Sequence, residues 1–321
     1  MTTRVDNVRR TLKVRRTFSF LLFLFILVAC QPIPRTVTLA FLGDLMLGRG
    51  VTPDEDSLAY LAPYLQSADL ALANLESPLT TAPSQTSGYN LCAPPERVLF
   101  LVAAGLDLLS VANNHSLDCG PDGLAEAEST LHASGLTPLG PQPIYRTING
   151  LRLAFLAFDD VSAPLDAAAA AQIIRTAHDS GALVIVSIHW GVEYQGGASE
   201  RQKWLAAQFA QAGAALIWGH HPHVIQPAEW VQPPAGSTHS SPPQSKPAGG
   251  STLVLYSLGN ALFDQVGLAD TRQSALVLVD LDENGVRSAH AIPFEIDVQH
   301  SRVQAADDRV AQAILERVGL K

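Results

Sequence analysis

Cysteine is scarce in this sequence, three in 321 residues, and no two of them form a C-x-x-C pair, so a thiolate zinc centre is excluded as an organising element. Positive charge is scarce as well: 21 Lys and Arg stand against 30 Asp and Glu, a net charge of −9 at pH 7. No basic patch offsets that balance. It argues against a nucleic-acid partner, because affinity for a phosphate backbone comes largely from cationic neutralisation. Internal repeats are missing, and the apolar run Phe18 to Ala29 is too short to read comfortably as a membrane-spanning helix. What is present is a 47% hydrophobic, 16% charged chain, enough to bury a large core.

Arg4, Arg9, Arg10, Lys13, Arg15 and Arg16 precede that run as a positive n-region, so residues 1–29 read as a secretory signal. The run closes on Leu27-Val28-Ala29-Cys30, which resembles a bacterial lipobox whose cysteine becomes the acylated first residue. A retained anchor, or a chance cysteine after an ordinary signal, is the alternative. Either way the domain is expected outside the cytoplasm, and acylation of Cys30 would tether it to the cell membrane. Residues 1–29 carry six Lys or Arg and one acid, so the mature charge is −14. Residues 30–35 read as a linker and 36–321 as the domain, interrupted by a Pro-, Gly- and Ser-rich surface loop at 231–251 that holds His239. An exported compartment permits a disulfide between Cys92 and Cys119, with two free buried thiols as the alternative.

The chemistry gathers where strands stop. Thr36 to Leu42 has the β-branched, apolar character of a buried strand and delivers Asp44, either a hard-oxygen ligand or a turn residue. Ala68 to Ala73 ends in Asn74-Leu75-Glu76, and Leu106 to Ala112 in Asn113-Asn114-His115 with Asp118 close behind. Leu183 to Ile188 runs into His189, followed by Trp190, Glu193 and Tyr194. Leu216 to Gly219 runs into His220-His221-Pro222-His223, three of the chain's 10 histidines. Five strand ends bearing carboxylate, amide and imidazole together make an assembled site the economical reading. That donor set suits a pair of borderline or hard divalent ions such as Mn, Fe or Zn. Arg49 reads as an anion holder or a surface residue, Asn260 as a site hydrogen-bonder or a turn cap. Glu193 is expected to orient His189, and Trp190, Tyr194 and Phe263 to wall the pocket. Helices are expected over about 95–104, 124–134, 166–180, 204–213 and 307–318, and strands 274–281 and 286–294 are expected to complete a second sheet.

Six motifs resemble the CapA family of poly-gamma-glutamate capsule-biosynthesis proteins, related to calcineurin-like metallophosphoesterases: G-D-L-M-L-G-R at 43–49, N-L-E at 74–76, A-N-N-H-S-L-D-C-G at 112–120, H-W-G-V-E-Y at 189–194, G-H-H-P-H at 219–223 and S-L-G-N at 257–260. The resemblance implies an α/β fold, a four-layer α/β/β/α sandwich with the site at the sheet edges. It implies Asp44 on one metal, Glu76 in the bridging place, Asn114 and His189 on a second metal, His221 and His223 as a further ligand pair, and His115 as the catalytic group beside Asp44. His220, Asn74 and Asn260 would support these ligands. Two departures stand out: Met46 replaces an expected imidazole, which weakens one metal position, and Glu76 replaces an aspartate. The function implied is a metal-dependent hydrolase acting on a phosphoester or the anionic polymer; the alternative is a non-catalytic component of a membrane synthase complex.

Overall fold

The computed structural model describes residues 35–232 and 250–320, with Thr36 onward forming one compact unit. The expected signal, Cys30, nearly all of the linker and most of the 231–251 loop, His239 included, lie outside the described residues. In chain order come β1 (Val37–Leu45), α1 (Ala62–Ser67), β2 (Leu70–Leu75), α2 (Val98–Ala104), β3 (Leu108–Ser110), α3 (Gly120–Ala133), β4 (Thr137–Leu139), β5 (Ile144–Ile148) and β6 (Leu151–Asp159). They are followed by α4 (Ala167–Asp179), β7 (Leu183–His189), α5 (Glu200–Gln211), β8 (Ala214–His220), β9 (Ile225–Val231), β10 (Thr252–Leu258), β11 (Asn260–Leu262), β12 (Gln273–Asp282), β13 (Gly285–Asp297), β14 (Arg302–Ala305) and α6 (Asp308–Val318). Among the described residues, no helix is long and apolar enough to cross a membrane.

Two sheets result. One runs β14-β13-β12-β1-β2-β3-β4, with β11 beside the end of β1, and the other runs β5-β6-β7-β8-β10-β9. Successive side chains of a strand point to opposite faces, and the apolar residues sort themselves accordingly. Val37, Leu39 and Phe41 of β1 face the other sheet, where they meet Leu153 and Phe155 of β6 and Leu216 and Trp218 of β8. Ala40 and Leu42 face outward onto Leu65, Leu101 and Leu131 of α1, α2 and α3. Leu156, Val186 and Ile217 face the opposite way, onto Ile174 of α4 and Leu205 and Phe209 of α5. Three apolar layers between four structural layers make the α/β/β/α sandwich. Trp218 ties the two sheets: its indole N–H donates to the Leu42 carbonyl at 2.9 Å, and its ring lies 5.5 Å from that of Phe41. Burial of such a ring, roughly 2–3 kcal/mol, outweighs the roughly 1 kcal/mol of the hydrogen bond.

Two expectations need correction. Strands 274–281 and 286–294, realised as β12 and β13, join the first sheet, where β12 pairs antiparallel with β1 (Leu39 opposite Val279). Their alternating apolar pattern announces strands, but pairing partners are set by tertiary packing. The helix expected over 204–213 has an apolar spacing in Trp204, Leu205 and Phe209 that suggests one buried face, but Trp204 is 47% exposed while Leu205 and Phe209 are buried. That helix starts at Glu200, because the Ser199 hydroxyl accepts from the Gln202 backbone and the Gln202 side chain reciprocates. The other helices begin within about four residues of expectation; α2 ends on Gly105 at φ 84°. The short elements α1, β4 and β5 carry too few residues to show a period, and β9 is broken up by Pro227 and Glu229; none of the four is expected from the sequence.

Candidate metal centre

Parallel pairing of β1, β2 and β3, and of β7 and β8, brings their carboxyl ends to one edge of each sheet. Two glycines let those ends meet. A Cβ at Gly43 would sit 1.7 Å from the Gly259 carbonyl oxygen, and one at Gly219 would sit 2.2 Å from the Trp190 indole nitrogen and 2.3 Å from the Tyr256 carbonyl oxygen. With no side chain in the way, β1 lies against Gly259, and the Asp44 N–H donates to that carbonyl at 3.1 Å.

The residues expected at the site converge. Asp44, Asn74, Glu76, His189 and His220 are fully buried, and His221 and His223 nearly so. Asn74 Nδ2 donates to Asp44 Oδ1 at 2.8 Å and to Glu76 Oε1 at 3.3 Å, which holds the two carboxylates in register. His189 Nε2 lies 2.7 Å from Asn114 Oδ1 and 3.6 Å from Glu76 Oε1. Its Nδ1 lies 2.7 Å from His220 Nδ1, whose Nε2 lies 2.7 Å from Ser187 Oγ. In the tautomer where His189 Nδ1–H donates to His220 Nδ1 and His220 Nε2–H donates to the Ser187 oxygen, both rings stay neutral and His189 Nε2 keeps its lone pair toward Asn114 and Glu76, as a cation there would require. His223 Nδ1 is 3.2 Å from Asp44 Oδ2 and 2.9 Å from Asn260 Oδ1. Asn260 is therefore a site hydrogen-bonder.

The electrostatics follow from burial. Desolvation pushes the pKa of His189 well below its usual value, with the neighbouring histidines adding to the effect; it takes His220 to about 3 and His221 to about 4. All three are neutral, with lone pairs available. Burial raises Asp44, yet the hydrogen bond and charge of His223 outweigh it and hold the carboxyl at about 2. Burial and then the Asp44 charge raise Glu76 well above the carboxylate range. Burial lowers His223, but Glu76 and Asp44 lift it to about 9. Protons on Glu76 and His223 thus stand where a cation's charge would otherwise be.

The donors fit a metal on a second ground. Glu76 Oε2 and His221 Nδ1 are buried with no hydrogen-bond partner, a cost of roughly 1–3 kcal/mol each that a divalent ion would remove. Potential ligand atoms of Asp44, Glu76 and His223 lie within 4.8 Å of one another, as do those of Asp44, His189 and His220, and those of Glu193, His221 and His223.

Beside the donors opens a cavity of about 400 Å³ lined by Arg49, Tyr89, Leu91, His115, Glu193, Tyr194, His223, Phe263, Asp264 and Gln265. His115 Nδ1 is held by Asp118 Oδ2 at 3.0 Å, which leaves Nε2 as the nitrogen for chemistry. The same Asp118 oxygen accepts from the Leu91 backbone at 2.8 Å. One residue further along each strand of this crossing, Cys92 and Cys119 are joined by a disulfide. Arg49 forms a two-pronged pair with Asp264, its Nε 3.2 Å from Oδ2, and lies 5.4 Å from the ring centres of Tyr89 and Phe263. An anionic group entering the cavity competes with Asp264 for it.

Two expectations change here. Glu193 faces His223, its Oε1 4.0 Å from Nε2, and does not orient His189; His220 does that. Trp190 is fully buried against the α4 and α5 layer and donates to the Tyr256 carbonyl at 2.9 Å, so only Tyr194 and Phe263 wall the pocket. Met46 packs in the outer core. Three supporting residues have no individual role in the sequence reading, which takes Asp118 only as the acid of an amide–imidazole–acid run suited to metal ligation and charge stabilisation. Asp118 stood in the quoted motif three residues after His115, a spacing that one helical turn closes. Asn113 donates to the Leu75 carbonyl at 2.9 Å and to Asn74 at 3.3 Å. Arg97 donates to the carbonyls of Leu47 and Val51 and pins the glycine loop, a contact that no local pattern signals.

The family described as bacterial capsule synthesis protein PGA_cap matches residues 38–265. Over 288 residues the chain is 31% identical to the PGA biosynthesis protein CapA of Bacillus subtilis (strain 168), spanning 80% of this chain and 71% of that one. Over 296 residues it is 29% identical to the capsule biosynthesis protein CapA of Bacillus anthracis, spanning 81% of this chain and 67% of that one. A solved structure of a hypothetical protein from Thermus thermophilus superposes with a TM-score of 0.49 at 14% identity, over 80% of this chain and 99% of that chain.

Proposed function

Because the chain belongs to the bacterial capsule synthesis protein family PGA_cap, with a match running from 38 to 265 that takes in Asp44, Glu76, Asn114, His189, His221 and His223, we propose that it serves capsule biosynthesis as a metal-dependent hydrolase of a phosphoester. The observation that carries this reading is the pairing of a buried carboxylate–imidazole cluster with the Asp118-oriented His115 at the mouth of one cavity. Asp44, Glu76, Asn114, His189, His221 and His223 would hold divalent ions. Such ions, when bound, polarise the ester and lower the pKa of a coordinated water.

The chain's own residues supply the rest. Asn74 fixes the Asp44 and Glu76 carboxylates, and His220 fixes the ring of His189. Asp118 holds Nδ1 of His115 and fixes the ring, which leaves Nε2 to give a proton to the departing oxygen. Arg49, drawn from Asp264, meets the anionic part of the substrate. Release of 4-nitrophenol from bis(4-nitrophenyl) phosphate, stimulated by manganese and stopped by a chelator, tests the reading. Binding of polyglutamate with no turnover of any ester would replace it with the assembly role beside a membrane synthase.

The same proposal places the protein outside the cytoplasm, anchored through acylated Cys30. Incorporation of labelled lipid that disappears in Cys30→Ser supports the anchor, and undiminished labelling refutes it.

A further inference from the structure

The loop after β7 and the loop after β8 are laced together. The Trp190 N–H donates to the His220 carbonyl at 3.1 Å, and the Tyr194 N–H to the Pro222 carbonyl at 2.8 Å. Three non-glycine residues take the left-handed region to make this possible: Tyr194 at φ 64°, His221 at φ 101° and His223 at φ 59°. Such backbone costs on the order of 1–3 kcal/mol per residue and persists where surrounding structure enforces it. Its effect is to set Glu193 against His221 and His223, with ligand atoms of all three within 4.8 Å of one another.

Which nitrogen of His223 serves this group can be derived. Asn260 has a side-chain atom 2.8 Å from the Thr271 carbonyl oxygen, which only accepts, so that atom is the amide nitrogen and Oδ1 faces His223. Oδ1 is an acceptor; His223 Nδ1 therefore keeps its hydrogen, and Nε2 is the nitrogen that would give up the ring's second proton and offer a lone pair to a cation. Nε2 is the nitrogen on the Glu193 side, 4.0 Å from Oε1. His221 contributes a ring on which Nδ1 is buried without a partner. Asp44, on the far side of the ring, holds Nδ1 in the carboxylate–histidine arrangement that orients metal-ligating imidazoles.

We infer that Glu193, with His221 and His223 Nε2, forms a three-ligand divalent-cation position of its own, open to the cavity, next to the position framed by Asp44, Glu76, Asn114 and His189. This rests on the metal reading of the site. It assigns Glu193 as a ligand and His223 to the outer position. With Met46 in the core, Glu193 is the side chain that completes that position.

The test is manganese and cobalt binding by calorimetry and by the visible absorption of the cobalt form, on the intact protein and on Glu193→Ala, Glu193→Gln and Glu193→Asp. Glu193 is 45% exposed at its side chain, so the variants fold, which thermal unfolding checks. The expected result is loss of one of two ions, or at least a tenfold weakening of one, in Glu193→Ala and Glu193→Gln, with a changed cobalt spectrum and partial recovery in Glu193→Asp. Wild-type stoichiometry, affinity and spectrum in Glu193→Ala would overturn the assignment while leaving the metal reading intact. A wild-type protein that binds no divalent ion would overturn both. Two ions in the wild type with no ester hydrolysis would count against the hydrolase alone.

Discussion

Replacing His115 with alanine lowers kcat for a phosphodiester by about 10²–10⁴-fold, the usual contribution of a positioned proton donor, and leaves metal content unchanged. The imidazole is not among the grouped ligand atoms; it lines the cavity beside them with Nδ1 on Asp118. Its removal therefore subtracts proton transfer without subtracting charge from the cation positions. The loss should depend on the ester. A leaving group that departs readily as an anion needs little protonation and loses least, whereas an alkoxide-like leaving group loses most. Asp118→Asn should fall between the wild type and His115→Ala, because it keeps the ring but loosens the contact that orients it. Equal turnover by wild type and His115→Ala on both kinds of ester would remove His115 from the chemistry.

Removing the Cys92–Cys119 bridge should cost stability and turnover together. The disulfide closes a loop across a sequence separation of 27, worth about 3.5 kcal/mol on a chain-entropy reckoning, or roughly 7 °C in Tm for a domain of this size. Its position adds a second effect. Leu91 and Asp118, each one residue before a bridged cysteine, share the hydrogen bond that fixes the oxygen on which His115 leans. The double variant Cys92→Ser/Cys119→Ser should therefore show a lower Tm, and a kcat lowered more than KM or metal content is changed. Thermal unfolding and steady-state kinetics, with and without reductant on the wild type, measure both. An unchanged Tm in the double variant and in reduced wild type would show that the bridge does not stabilise this fold.

Much of the site was legible because its residues sit where strands stop, and a strand's end is visible in sequence as the point where β-branched, apolar residues give way to glycine and polar ones. Asp44, Glu76, Asn114, His189, His221 and His223 were all placed by that boundary. Details that depend on rotation about the chain were not legible. Glu193 follows His189 by four residues, close enough to suggest support for that imidazole, but Gly191 at φ 88° and Tyr194 at φ 64° turn it toward a different strand's histidines. Trp190 is similar: proximity to a ligand suggested a pocket wall, and the pleat carried it to the opposite face. In the fold, the apolar runs of β1, β7 and β8 announced themselves, whereas membership of β12 and β13 in the first sheet depends on antiparallel pairing across more than two hundred residues. The three-residue edge strand β4 leaves too few positions for any period to register, and in the edge strand β9 Pro227 and Glu229 interrupt the apolar pattern.

The central claim is that the buried cluster is a cation site, and proton competition tests it most directly. Without metal, Glu76 and His223 bind protons more tightly folded than unfolded: Glu76 is raised well above 4.5, and His223 is raised from 6.5 to about 9. Below pH 6.5 the buried neutral His189, His220 and His221 work in the opposite direction, so the loss of stability of the folded metal-free protein with rising pH falls between about 6.5 and 9, where His223 gives up its proton; metal binding, which must displace the protons, gains over the same rise. Metal analysis after dialysis against excess manganese should find about two ions per chain at pH 8, fewer at pH 5, with protons released to the buffer on binding. A chain that holds no divalent ion at pH 8 would contradict the account.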